Sequence, residues 1–392
     1  MNKNKTQKNI PNDWQSSLFK NCHVAVIDGD RGKNYPKQND FSSDGFCLFL
    51  NAGNVSKSGF NFNETQFISK DKNGLMGKGQ LGRGDLVITT RGTIGNIVHY
   101  DNKINFDNIR INSGMAIIRN KNKSIETKFL LYYLKLPSFR KEIKRVSFGS
   151  AQPQLTIQII NKFKFIFPPL PEQKAIVAIL ETWDKYLKKL SKKIEIKKNI
   201  KKGLMQRLLS GEVRLDGFSG EWKKKKLGDI SSIMTGNSNR EDSNLDGKYT
   251  FFDRSEDIRS SSVYLFDGEA VIVAGEGQKF VPKYFIGKFD LHQRTYAIMN
   301  FNNTDGKFIY YYLYQNKNYL LSQAVGSTVK SLRLPMFVKM PIKTPPLKEQ
   351  TAIAKILTTA DREIETLEKR KKIIEGQKKF LLNNLVTGKI RT

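Results

Sequence analysis

Residues Phe167 to Leu215 read FPPLPEQKAIVAILETWDKYLKKLSKKIEIKKNIKKGLMQRLLSGEVRL, and residues Lys343 to Thr392 read KTPPLKEQTAIAKILTTADREIETLEKRKKIIEGQKKFLLNNLVTGKIRT. Pro168, Pro169, Leu170, Glu172 and Gln173 return as Pro345, Pro346, Leu347, Glu349 and Gln350. Ala175, Ile176, Ile179, Leu180 and Asp184 return as Ala352, Ile353, Ile356, Leu357 and Asp361, and Gly211 and Arg214 as Gly388 and Arg391. Pro168 to Pro345 and Gly211 to Gly388 are both steps of 177 residues, so the two copies align without a gap. An internal repeat decides the architecture before any single element does.

Each copy carries the signals of one long helix. Prolines precede it, acid and amide fill its first turn, and glycine follows where a left-handed cap is needed. Roughly 37 residues lie between these signals, about 55 Å of helix. The apolar positions Ile176, Leu180, Trp183, Leu187, Leu190 and Ile194 alternate steps of four and three, as do Ile353, Leu357, Ala360, Ile364 and Leu367. That is the seam of a coiled coil. At Lys197 the pattern fails and an apolar frame restarts at Ile196, Ile200, Leu204 and Leu208, which predicts a stutter. Two helices of one length and register favour mutual pairing. A two-fold relation between copies would make the pair antiparallel, with one globular unit at each end of a dumbbell.

The copies divide the 392 residues into a polar, disordered start at 1–12, a first head at 13–166, a helix at 167–212, a second head at 213–343 and a closing helix at 344–392. The heads are rich in short β-like runs separated by Gly, Asn and Asp. The first has Phe46–Leu50, Asp85–Thr90, Asn96–Tyr100, Met115–Arg119 and Phe163–Phe167, with one helix over Glu126–Leu136. The second has Tyr249–Phe252, Ala270–Ala274, Tyr284–Ile286 and Tyr296–Asn300, with a helix over Gly306–Asn316 and lysines 223–226 at its entry. The fold class is α+β, with two mixed heads. They share an order of elements but little sequence, as two units tuned to different targets would.

The formal charge of +30 makes nucleic acid the leading partner. No apolar run approaches the ~18 residues of a membrane span, and the amino end lacks the apolar core of a secretory signal. Cys22 and Cys47 cannot frame a disulfide scaffold and fit a reducing cytoplasm.

Catalytic motifs fail on inspection. Gly77–Gly82 matches G-x-G-x-x-G, but a charged turn precedes it and a strand follows, the reverse of a dinucleotide fold. Phe167-Pro168-Pro169-Leu170 lacks the amide or carboxylate of the Asn/Asp-Pro-Pro-Tyr motif of amino-methyltransferases. A metal-carboxylate nuclease would want an acidic pair and a lysine. Glu269 and the Glu276–Lys279 run fit that only loosely, and the first head has no counterpart. His23, His99 and His292 stand near no cysteine pair of zinc spacing. No catalytic residue and no metal ligand is assigned.

What remains are polar, basic, glycine-rich loops suited to base edges and phosphates. In the first head the candidates are Asn51, Asn54, Lys78, Arg83, Arg91, Thr93, Arg110, Asn112, Ser150, Gln152 and Gln154. In the second they are Arg254, Ser255, Gln278, Lys279, Gln293, Arg294, Ser327 and Lys330. Lys188, Lys189, Lys192, Lys193, Lys197 and Lys198 give the first long helix a basic outer face.

The doubled P-P-L-x-E-Q helix starts, the G-E-V-R-L and G-K-I-R-T exits, and the Glu221-Trp222 with Leu227-Gly228-Asp229-Ile230 opening resemble the specificity subunit of type I restriction-modification systems. The likeness spans nearly the whole chain; residues 13–18 match the family's opening only in part. It implies two target recognition domains, each reading half of an asymmetric, bipartite double-stranded DNA target, spaced by the family's antiparallel helices. It further implies that Ile176, Leu180, Trp183, Leu187, Leu190, Ile353, Leu357, Ile364 and Leu367 lie in that coiled coil, where partners dock. Those partners are two methyltransferase subunits, which carry S-adenosylmethionine and methylate adenine at N6, and restriction-translocase subunits, which use ATP and Mg. The chain itself would hold no cofactor, catalyse nothing and work in the bacterial cytoplasm. Without the resemblance, a stand-alone DNA enzyme or a basic coiled-coil scaffold stays open.

Overall fold

The computed structural model describes residues 11–147 and 153–392. The chain forms two compact units: Met1–Lys189 with Lys372–Thr392, and Leu190–Lys371. The division falls inside both long helices, so each unit holds one head and a stretch of each helix.

The first head is built on a four-stranded antiparallel sheet in the order Val24–Asp28, Met115–Asn120, Leu86–Thr89, Ile97–His99. Successive side chains of a strand point to opposite faces. Leu86, Ile88, Ala116 and Ile118 accordingly enter one core with Phe129, Phe165 and Leu180. Val87, Met115 and Ile117 enter another with Leu48, Leu50, Ile109 and Ile111. Both faces are covered, so Leu86–Thr89 reads as an unbroken buried run. The second head repeats this on a six-stranded sheet ordered Ser232–Thr235, Thr295–Met299, Phe266–Ala274, Lys283–Leu291, Tyr249–Phe252, Arg259–Ser261. Val271, Val273 and Ile298 face the core that holds Phe308 and Leu357, while Ala270, Ile272 and Ala297 face a second cluster with Phe252 and Phe289.

Each head is closed by a short strand pair, Gln15–Leu18 with Lys164–Phe167 and Lys223–Lys226 with Pro341–Thr344. The lysine run that marks the second entry is therefore an edge strand, and Lys is a residue that protects such an edge. It also fits that residues 13–18 and 221–226 play the same part.

The repeat motif explains itself at these joints. Glu172 and Gln173 donate their backbone N–H groups to Pro169 O, as Glu349 and Gln350 do to Pro346 O, and the helix starts there. Proline suits the position because the first N–H groups of a helix have no internal acceptor. The buried Gln173 accepts from Glu126 N at 2.8 Å and donates to Ser124 O and Pro168 O. Gln350 accepts from Asp305 N at 3.0 Å and donates to Pro345 O at 2.8 Å. Glu126 and Asp305 are the N-caps of the head helices Thr127–Leu134 and Gly306–Gln315, so one glutamine ties each head helix to its long helix.

The glutamate of the motif meets the arginine of the exit. Arg214 Nε and Nη2 donate to Glu349 at 2.6 Å each, and Arg391 Nε donates to Glu172 at 2.6 Å while also gripping Asp13. Gly211 and Gly388 close the helices at φ +76° and +71°. A Cβ on Gly211 would stand 3.3 Å from the Trp222 ring, and one on Gly388 would stand 2.9 Å from Pro11 and 3.3 Å from Trp14. Only glycine satisfies both the left-handed backbone and the close approach.

The long helices run Leu170–Ser210 and Leu347–Leu385, 41 and 39 residues, longer than the sequence signals bounded. Within the second unit Lys197 pairs Glu363 while Lys201 pairs Asp361, so partner numbers fall as residue numbers rise and the helices are antiparallel. In the first unit Asp184 pairs Lys378 while Glu172 pairs Arg391, with the same sense. Ile176, Leu180, Leu190, Ile353, Leu357 and Ile364 are buried; Trp183, Leu187 and Leu367 are half-buried.

The expected stutter is absent. Ile196 and Ile200 are 47% and 50% exposed, whereas Lys197, Lys201 and Leu204 are half-buried and Leu208 is buried. The steps of four and three run on through Ile194, Lys197, Lys201, Leu204 and Leu208. Lysine occupies the seam because a carboxylate on the facing helix meets it, and its aliphatic stem still packs. The same holds at Lys378, the repeat twin of Lys201. Each of these lysines pairs with an aspartate that also accepts from a head-helix tyrosine: Tyr311 Oη to Asp361 at 2.7 Å, and Tyr132 Oη to Asp184 at 2.8 Å. Lys197 and Lys198 are thus engaged with Glu363 and Glu368 rather than standing on a bare basic face.

Candidate nucleic-acid interface

One edge of the main sheet is laid out alike in each head. In the first, the chain leaves the strand Leu86–Thr89, and Thr90 N donates to Gly114 O at 2.8 Å just before Met115–Asn120 begins. Leu155 N then donates to Thr90 O at 3.0 Å. In the second, Gly275 follows Phe266–Ala274; its N donates to Arg294 O at 2.8 Å, and Leu332 N donates to Gly275 O at 2.7 Å. Leu155 and Leu332 are repeat twins. Three loops therefore converge at the same end of the sheet in both heads, and the residues they carry differ.

The first head's edge holds Arg91, Asn112 and Gln154 of the candidates. Arg91 Nη2 donates to Gln154 Oε1 at 3.4 Å, and Asn112 Oδ1 accepts from Gly114 N at 2.9 Å. Thr93 sits in the exposed turn beyond Arg91, its carbonyl taken by Thr89 Oγ1. Lys78 is exposed beside the Asp28–Asn34 loop, where Asp30 accepts from Gly32 N and Gly77 N at 2.7 Å each. Sequence reasoning passed over that loop. Its Arg31 bonds Asp28 at 3.0 Å and Ser113 O at 3.2 Å, which puts a half-exposed guanidinium at this edge. The signal is the run Asp28-Gly29-Asp30-Arg31-Gly32-Lys33, of the same polar, basic, glycine-rich composition as the candidate loops.

Four candidates are held elsewhere. Arg110 is 5% exposed and its guanidinium serves Asn73, Lys78 O and Met76 O, clamping a loop instead of facing a ligand. Asn54 is 2% exposed and bonds Asn61 O and Glu64 O. Asn51 caps a short 3-10 turn through Gly53 N. Arg83 lies over the Tyr100 ring at 4.3 Å and bonds Asp101 O, Ile104 O and Asp107. Ser150 and Gln152 lie outside the described residues.

In the second head, Arg254 and Arg294 are brought together by a residue the candidate set omitted. Arg254 Nη1 donates to Glu276 Oε2 and Arg294 Nη1 to Glu276 Oε1, each at 2.5 Å. Ser255 N bonds the buried Asp253 at 2.7 Å, and Arg259 stands 3.3 Å from the same carboxylate. Gln293 bonds Asn239 across the edge. Gln278, Lys279 and Ser327 are exposed, and Lys330 pairs with Gly277 in the short ribbon that carries Glu276.

Burial works against the charge of Glu276, but hydrogen bonds from Arg254 and Arg294 outweigh it and hold its carboxyl below the ordinary 4.5. Because the folded value lies below the unfolded one, the stabilisation is complete above the unfolded value and is lost as pH falls through the folded one. Thermal unfolding of the wild type and Glu276→Gln should therefore differ by a constant amount above about pH 5.5 and converge on acidification. A gap that widens on acidification would refute this ionisation.

Among the described residues no group of three or more His, Cys, Asp or Glu is placed to hold a metal ion, and no helix is long and apolar enough to cross a membrane.

With this geometry in place, the likeness to known proteins is direct. The type I restriction modification DNA specificity domain matches the chain twice, at residues 11–201 and 219–375, and the chain belongs to that family. Each match takes in one head and most of one long helix, so two target recognition domains are present. The putative type I restriction enzyme MjaX specificity subunit of Methanocaldococcus jannaschii is 27% identical over 415 residues, covering 97% of this chain and 95% of its own. The type I restriction enzyme EcoDI specificity subunit of Escherichia coli is 31% identical over 150 residues, 38% of this chain and 33% of its own. The solved S subunit of a type I restriction-modification system from M. genitalium superposes with a TM-score of 0.64 at 16% identity, covering 97% of both chains, a likeness of fold.

Proposed function

We propose that this chain is the non-catalytic specificity subunit of a type I restriction-modification complex in a bacterial cytoplasm. Each head reads one half of an asymmetric, bipartite double-stranded DNA target through its loop-bearing sheet edge. The long helices set the gap between halves and dock two methyltransferase subunits, which bring S-adenosylmethionine and methylate adenine at N6. Restriction-translocase subunits, using ATP and Mg, join through them. The chain needs no cofactor of its own.

The observation that carries this reading is the contrast between frame and edge. The joints are duplicated residue for residue: Gln173 and Gln350, Glu172–Arg391 and Glu349–Arg214, Asp184–Lys378 and Asp361–Lys201. The edges hold Arg31, Arg91 and Gln154 in one head and Arg254, Glu276 and Arg294 in the other. Like frames suit like partners; unlike edges suit an asymmetric target. The purified chain should neither methylate nor cut DNA alone, and adenine methylation should appear when the cognate methyltransferase is added. Turnover by the isolated chain would sink the proposal.

A further inference from the structure

We infer that Arg254 and Arg294 read guanine in the half-site of the second head, and that Glu276 is the positioning residue that holds them as a pair. This rests on the reading of the chain as a DNA-specificity subunit. Each arginine spends one nitrogen, Nη1, on Glu276. Among the described residues no side chain or carbonyl takes the Nε–Nη2 edge of either guanidinium. That edge presents two parallel donors, the pattern that matches O6 and N7 of guanine.

The placement argues for bases over phosphates. Arg254 and Arg294 are 45% and 58% exposed at their side chains, while Glu276 is 15% exposed beneath them. A carboxylate between two guanidiniums cancels half of their charge, which weakens a grip on phosphate. It costs little toward a neutral base edge and fixes two long side chains that would otherwise lose rotamer freedom on binding. A carboxylate can also accept from the amino group of cytosine, the partner of guanine in the pair.

The backbone supports the same assignment. Arg294 is the last residue before the strand Thr295–Met299, and its N–H is held by His292 Nδ1 at 3.0 Å. Glu276 opens the ribbon paired with Ser331 and Lys330. Glu276 thus stands on a strand of the scaffold, and Arg294 in the turn that leads directly into one. In the first head Arg91 meets the neutral amide of Gln154 and Arg31 bonds Asp28; among the described residues no carboxylate there joins two exposed guanidiniums, so the two half-sites should differ in kind.

The test is the methylation pattern written by the complete complex of this chain and its methyltransferase on randomised DNA. The wild type should show guanine in the half-site that changes when the second head is exchanged. Arg254→Lys and Arg294→Lys keep the charge and lose the fork, and each should cut discrimination at one guanine roughly five- to hundredfold. Glu276→Gln should relax both guanines together while the other half-site stays unchanged; a fault of folding would weaken both halves. Unchanged base preference in these variants, or uniform weakening on every sequence, would reassign the arginines to phosphate and overturn the inference while leaving the specificity reading intact. A wild-type complex that writes no bipartite pattern would instead overturn that reading.

Discussion

Leu357→Ala is expected to destabilise the second unit by about 3 kcal/mol, and Leu180→Ala the first by a similar amount. The two leucines are repeat twins and both are fully buried. Each is the point at which a long helix enters a head core: Leu180 with Phe129 and Phe165, Leu357 with Phe308 and Ile309. Truncation removes the transfer free energy of three carbons and leaves a cavity among aromatic rings that cannot close over it. The loss should be local. Segment-resolved hydrogen exchange should report faster opening of Gly306–Gln315 in Leu357→Ala and of Thr127–Leu134 in Leu180→Ala. Equal acceleration of both head helices by either variant would contradict the division of the chain into two separate cores.

The second large effect is at the motif glutamines. Gln173 is fully buried and makes three hydrogen bonds, to Glu126 N, Ser124 O and Pro168 O. Gln350 is 2% exposed and makes two, to Asp305 N and Pro345 O. Alanine at either site removes the partner of these backbone groups, of which the bonds to Pro168 O and Pro345 O are buried, at a cost of roughly 2–4 kcal/mol, with Gln173→Ala the worse. Chemical denaturation should show this order. A loss below about 0.5 kcal/mol for Gln173→Ala would mean that the glutamine is not what fastens head to helix.

These joints were legible as a repeat but not as a mechanism. Spacing located Pro168–Gln173 and Pro345–Gln350 and gave the helices that follow. That Gln173 reaches Glu126 depends on the head folding back over the helix, which no local pattern records. Strands with both faces buried, such as Leu86–Thr89 and Met115–Asn120, were readable because burial on both sides leaves a plain apolar run. Val24–Asp28 was missed: it lies at the edge of its sheet, ends in a polar turn and is only partly buried. Lys223–Lys226 has a composition that argues against a strand, and pairing with Pro341–Thr344 overrides it.

The seam shows a different failure. Lys197 reads as a break because lysine is polar, but its partner Glu363 lets it stay in register. At the candidate interface, composition marked loops of one kind but could not tell which of their members are buried. Arg110 and Arg294 look alike in sequence. The first is buried because its strand, Ile109–Ile111, lies beside Cys47–Leu50, and the second is presented because its strand begins at the open end of the sheet. Glu276 acts on arginines 22 and 18 residues away, a juxtaposition that only the sheet creates.

The most direct test of the central claim is to map methylated adenines in DNA modified by this chain together with its methyltransferase partner. A specificity subunit with two unlike heads predicts one asymmetric sequence of two defined halves, separated by a gap of constant length, with methylation on both strands. A single continuous sequence, a symmetric one, or methylation without sequence preference would contradict it.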